Sequence, residues 1–84
     1  MRVFIGSIDY ETPVEELVEF LEKEIGPVER VYYARDKASG RFRGFAFVTF
    51  KNEGDGERAI SELHNVIFND RHLVVKEALP QSTR

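Results

Sequence analysis

The segment Phe42–Phe50 (FRGFAFVTF) constrains this chain more than any other stretch of it. Arg43, Phe45, Phe47 and Thr49 share one parity, and Gly44, Ala46, Val48 and Phe50 share the other. Successive side chains of a β-strand point to opposite faces, so a strand here has two faces with different tasks. The small and branched set packs comfortably beneath helices, which turns Phe45 and Phe47 outward beside Arg43. Arg2–Ile8 repeats the design: Val3, Ile5 and Ile8 suit a core, and Phe4 goes to the other side. Three phenylalanines on an open face form an apolar patch, and such a patch is normally a binding site. Every nucleobase carries a π-face, and stacking one on an aromatic ring is worth ~1–3 kcal/mol.

With 84 residues the chain affords one small domain and one core. Thr12-Pro13-Val14-Glu15 predicts a helix start, with Thr12 as N-cap, Pro13 in the first turn and Glu15 closing a capping box. Val14, Leu17, Val18, Leu21 and Ile25 recur at helical spacing, and Gly26-Pro27 ends the run, Gly26 accepting a left-handed cap. Val28–Arg35 reads as a second strand, Asp36–Arg41 as a polar turn and Phe42–Phe50 as a third strand. A second helix is expected from about Glu53 to His64, capped by Asn52, with Ala59, Ile60 and Leu63 buried. Asn69-Asp70 reads as a tight turn into a last strand, Arg71–Ala78, with Leu73 and Val75 on one face. Residues 80–84 read as a flexible C-terminal tail. The order β-α-β-β-α-β predicts an α+β, ferredoxin-like sandwich: a four-stranded antiparallel sheet with both helices on one face.

Arg43-Gly44-Phe45-Ala46-Phe47-Val48-Thr49-Phe50 meets all eight positions of the RNP1 pattern, and the chain thereby resembles the RNA-recognition motif. Val3-Phe4-Ile5-Gly6-Ser7-Ile8 resembles the partner motif, RNP2, in the strand where that partner belongs. The likeness assigns residues 1–79 to one domain and is similar to the short stand-alone proteins of this type in some bacteria. It implies bases stacked on Phe4 and Phe47, with Phe45 against sugars and Arg43 bridging to phosphate or base. It places Tyr32 and Ala34 on the sheet face, leaving Val31 and Tyr33 for the core. Lys37 and Arg41 on the turn are expected to clamp phosphates, and Lys76 to Ala78 to touch RNA from the last strand. Phe42 and Tyr10 are read as packing residues, and Ser7 stands where the family usually has Asn. The implied ligand is single-stranded RNA, or single-stranded DNA, bound by a monomer in RNA processing, stability or translational control. The alternative is a protein-interaction domain that uses the same face or the acidic first helix.

The net charge of −3 argues on average against a polyanion ligand, but the average hides an asymmetry. Glu11 to Glu29 holds seven acids and one base, whereas Arg30 to Arg43 holds five bases and one acid. No cysteine is present, which removes disulfides, thiolate metal sites and a thiol nucleophile. His64 and His72 stand alone, without metal-ligand spacing, and Gly54-Asp55-Gly56 lacks the Lys-Ser/Thr ending of a phosphate loop. Small acylphosphatases share the element order, yet Ser7–Glu11 has no arginine to hold a phosphate. The expectation is therefore no enzyme, no cofactor, no metal and no membrane, in the cytoplasm.

Overall fold

The computed structural model describes residues 1–78; Leu79 and the expected tail 80–84 lie outside the described residues. The elements are β1 (Arg2–Gly6), α1 (Val14–Glu24), β2 (Val28–Arg35), β3 (Phe42–Phe50), α2 (Asp55–Leu63), β4 (Ile67–Phe68), β5 (Arg71–His72) and β6 (Val74–Glu77). β2, β3, β1 and β6 form one antiparallel sheet in that order. The register sets Val3 against Val48 and Ile5 against Ala46, and on the other side Ile5 against Val75. All five are buried with Leu17 and Leu21 of α1 and Ala59 and Leu63 of α2, so both helices cover the same face. This is the ferredoxin-like α+β sandwich that the alternation implies.

The element ends depart from expectation for traceable reasons. Helix α1 starts one residue late: Pro13 is the cap residue and no side chain caps the helix. Thr12 is diverted, its Oγ1 accepting the Asn69 side-chain amide at 2.8 Å. Gly26 does not adopt a left-handed conformation. Its need is spatial, because a Cβ there would fall on the Asp55 carboxylate, which is only 8% exposed. Arg58 holds that carboxylate at 3.3 Å and donates to the Ile25 carbonyl at 3.1 Å, joining the two helix ends. Helix α2 starts at Asp55 rather than Glu53, with Gly54 as its left-handed cap (φ 90°) in place of Asn52.

The last strand is two strands. Asn69 and Asp70 both have positive φ (51° and 69°), the signature of a type I′ turn, and such a turn closes a two-residue hairpin. Arg71–His72 therefore pairs back onto Ile67–Phe68, and only Val74–Glu77 joins β1. The hairpin has a packing role: the Phe68 ring stacks on Phe20 of α1 with centroids 4.4 Å apart. Both histidines serve the backbone here, His64 Nδ1 accepting the Val75 amide at 3.1 Å and His72 Nδ1 lying 3.2 Å from the Asn65 carbonyl.

Tyr33 and Phe42 lie ring on ring, 3.8 Å apart and 2° from parallel, so Phe42 is the packing residue expected. The Tyr33 hydroxyl donates to the Thr12 carbonyl, and burial pushes its pKa from 10.0 up to about 12, with Arg35 pulling the other way. The folded state therefore holds this proton more tightly than the unfolded chain does. Its stabilising contribution is complete below pH 10 and is lost as pH rises toward 12. Tyr33→Phe is expected to flatten the alkaline limb of a stability–pH curve; an unchanged limb would assign the loss to other groups.

Candidate nucleic-acid interface

The register that buries Val3 and Ile5 fixes what emerges on the opposite face. Phe47 of β3 lies across from Phe4 of β1 and from Tyr32 of β2, and Phe4 lies across from Lys76 of β6. Tyr32, Phe47, Phe4 and Lys76 thus form one row across the sheet. The Tyr32 and Phe47 rings are 6.3 Å apart and 26° from parallel, and Phe47 and Phe4 are 5.7 Å apart. Phe45, two residues along β3, stands 5.7 Å from Phe4 and meets Phe47 edge-on at 5.9 Å. The phenylalanines are half-buried by one another, and Tyr32 is 57% exposed. Gly6 is what lets Phe4 lie flat, since a Cβ there would sit 2.7 Å from its ring.

The cations are arranged around these rings. The Arg43 guanidinium lies 5.3 Å from the centre of Phe45. Arg2 lies 4.4 Å above Phe47, close enough for a cation–π contact. Among the described residues Arg58 is the only cation in an ion pair, so Arg2, Arg43 and Lys76 have no carboxylate partner there. Arg2, Phe4, Tyr32, Phe47 and Lys76, with Glu77 and Ala78, line a shallow depression on this face. The glutamates of α1 are exposed on the helical side, away from these rings. The α1 carboxylates thus lie on the side of the sheet opposite Arg2, Arg43 and Lys76, and of the basic segment only Arg43 is placed among the rings.

Of the residues singled out in the sequence, Phe4, Tyr32, Arg43, Phe45, Phe47 and Lys76 come together on one face, and Ala78 borders the same depression. Lys37 and Arg41 do not join them: both are exposed on the β2–β3 turn. That turn is ordered, because Asp36 Oδ1 accepts the amides of Ala38 (2.7 Å) and Ser39 (3.2 Å). The same two amides hold the Asp36 carboxyl below the ordinary aspartate range. Ala34 is not an open face position: it is only 3% exposed, beside a register shift between Tyr33 and Arg35. Arg2 was not singled out, although it shares the parity of Phe4 and could have been found from it. Ser7 has φ 62°, a conformation that Asn tolerates better than Ser, so the substitution acts on backbone strain. Among the described residues no group of His, Asp or Glu is disposed to hold a metal ion, and no helix is long and apolar enough to cross a membrane.

The sequence of residues 3–74 matches the family model described as the RNA recognition motif. The yeast (Saccharomyces cerevisiae) protein HSH49 is 37% identical over 76 residues, covering 89% of this chain but 35% of that protein. The "Putative RNA-binding protein RbpF" of Nostoc sp. is 33% identical over 84 residues, all of this chain and 79% of its own. Among solved structures, the crystal structure of "RNA Binding Protein PG1" superposes with a TM-score of 0.87 at 37% identity, covering 99% of each chain.

Proposed function

The chain belongs to the RNA recognition motif family, and on that premise we propose that it binds single-stranded RNA across the open face of the sheet. The observation that carries this reading is the cross-strand row of Tyr32, Phe47 and Phe4, three neighbouring rings with centroids 5.7 and 6.3 Å apart on the face the helices leave open. Duplex bases are stacked against each other and cannot reach such a face, whereas splayed single-stranded bases can. About two to four nucleotides would lie across the row.

In this reading bases stack on Phe4 and Phe47, with Tyr32 as a flanking platform and Phe45 wedged against sugars. Arg43 and Lys76 meet the backbone, Ala78 borders the strand of RNA, and Lys37 and Arg41 attract phosphates at the turn. Arg2, which lies over Phe47, moves aside when a base seats on that ring. Single-stranded DNA presents the same ring faces and falls within the same ligand class. The domain acts as a monomer in the cytoplasm without catalysis. One such face has little area, so micromolar affinity, about −8 kcal/mol, is expected.

About three phosphate contacts would make log K fall with log salt at a slope of about −2 for a single strand. Arg43→Ala is expected to weaken binding and flatten that slope by about 0.7. Fluorescence anisotropy at several salt concentrations measures both quantities. An unchanged slope would remove Arg43 from the phosphate contacts, and failure to bind random-sequence RNA at low salt would end the reading.

A further inference from the structure

A second hollow, of about 490 Å³, opens at the end of the sheet between the β1–α1 and β2–β3 connections. Tyr10, Glu11, Arg35 and Arg41 line it together with the stacked pair Tyr33 and Phe42. Its volume lies within the range of small-ligand sites. Tyr10, expected to be a packing residue, is instead 72% exposed. The ring is nonetheless anchored along one edge: a Cβ at Gly44 would lie 2.7 Å from its Cε1. Gly44 also has φ +91°, so glycine is required there both for its backbone and for the close approach of Tyr10. An aromatic ring held at its edge and open on its face is a platform prepared before any ligand arrives.

The facing wall is equally rigid. Tyr33 and Phe42 are parallel, and the Tyr33 hydroxyl is tied to the Thr12 carbonyl. The Arg35 guanidinium lies 5.7 Å from the Tyr33 ring, and neither Arg35 nor Arg41 has an ion-pair partner among the described residues. Glu11 is the one carboxylate lining the hollow, with Asp9, Glu15 and Glu16 close enough to act on Tyr33. These acids disfavour a phosphate inside the hollow, whereas a neutral nucleobase suits its aromatic walls. Phosphates outside would meet the two arginines at the rim. Phe42 immediately precedes Arg43 in β3 and has the opposite parity, so the hollow opens on the helical side at the end of the sheet, and a strand that passes Phe45 and Arg43 reaches it by turning around that end.

We propose that this hollow is a second nucleotide site, in which Tyr10 stacks a base of an RNA strand that has left the sheet past Phe45 and Arg43. The proposal rests on the RNA-binding reading and adds to it a length requirement: a short oligonucleotide fills the sheet alone, and a longer one also reaches Tyr10. The probes are fluorescein-labelled random-sequence tetranucleotide and octanucleotide RNA pools, titrated against the parent chain and four variants. Tyr10→Ala is expected to weaken octanucleotide binding about tenfold and to leave tetranucleotide binding unchanged, while Tyr10→Phe binds both like the parent. Arg35→Ala is expected to weaken the octanucleotide alone, by about threefold. Phe47→Ala weakens both and reports on the sheet independently.

If Tyr10→Ala leaves the octanucleotide unaffected while Phe47→Ala weakens it, the second site is refuted and the sheet reading stands. Equal weakening of both lengths by Tyr10→Ala also refutes it, because Tyr10 would then act through Gly44 and the sheet. If Phe47→Ala changes neither, the RNA reading itself has failed. Because Tyr10 is exposed, its variants should melt like the parent, and a thermal scan checks this.

Discussion

Phe47→Ala is expected to lower affinity for single-stranded RNA by about 1–3 kcal/mol while leaving the domain folded. Phe47 is the ring at the crossing point of the face: it neighbours Tyr32, Phe4 and Phe45 and lies beneath the Arg2 guanidinium. Its removal deletes one stacking surface and the seat of the arginine, and separates Tyr32 from Phe4. The cost to the fold is small because the side chain is half-buried among rings on the open face rather than beneath the helices. Anisotropy titrations paired with thermal melts read both quantities. Equal affinity in variant and parent would mean that RNA does not stack at the centre of this sheet.

Ile5→Ala is expected to do the opposite, destabilising the domain by about 2–5 kcal/mol. Ile5 has no exposed surface and sits between Ala46 and Val75 in the layer beneath the helices. Truncation there leaves a cavity as well as losing buried area, and a small domain has only about 5–15 kcal/mol in total. Phe4→Ala, one residue earlier, is expected to weaken RNA binding with little loss of stability. Urea unfolding curves for the two variants, beside their RNA titrations, give a paired comparison at adjacent positions. Were Ile5→Ala as stable as the parent, or Phe4→Ala the more destabilised of the two, the assignment of faces would be wrong.

That pair also shows how much could be read before any coordinates. Alternation with a period of two is a local property, so the faces of β1 and β3 were legible from residues 3–5 and 43–50 alone. The same holds for the helical spacing of Leu17 and Leu21 and for the Asn69-Asp70 turn, each of which needs only near neighbours. The tight turn was recognised, but its consequence was not. Splitting the last strand required Ile67–Phe68 to serve as a partner, and a two-residue strand leaves almost no pattern to read.

The interface divides along the same line. Phe4, Phe45, Phe47 and Arg43 follow from parity and a contiguous eight-residue motif, and the structure brings the three rings within about 6 Å of one another, with Arg43 5.3 Å from Phe45. Which rings the cations cover, and which residues meet from distant parts of the chain, depends on how strands and loops are laid side by side. Thr12 meets Asn69, Gly26 meets Asp55, Tyr10 meets Gly44 and Arg2 covers Phe47, and none of these pairs is close in sequence. Local periodicity chose the face because each side chain's direction follows from its neighbours along the backbone. Packing chose the caps, the hairpin and the loop-end hollow, because those contacts exist only once segments far apart in the chain occupy the same space.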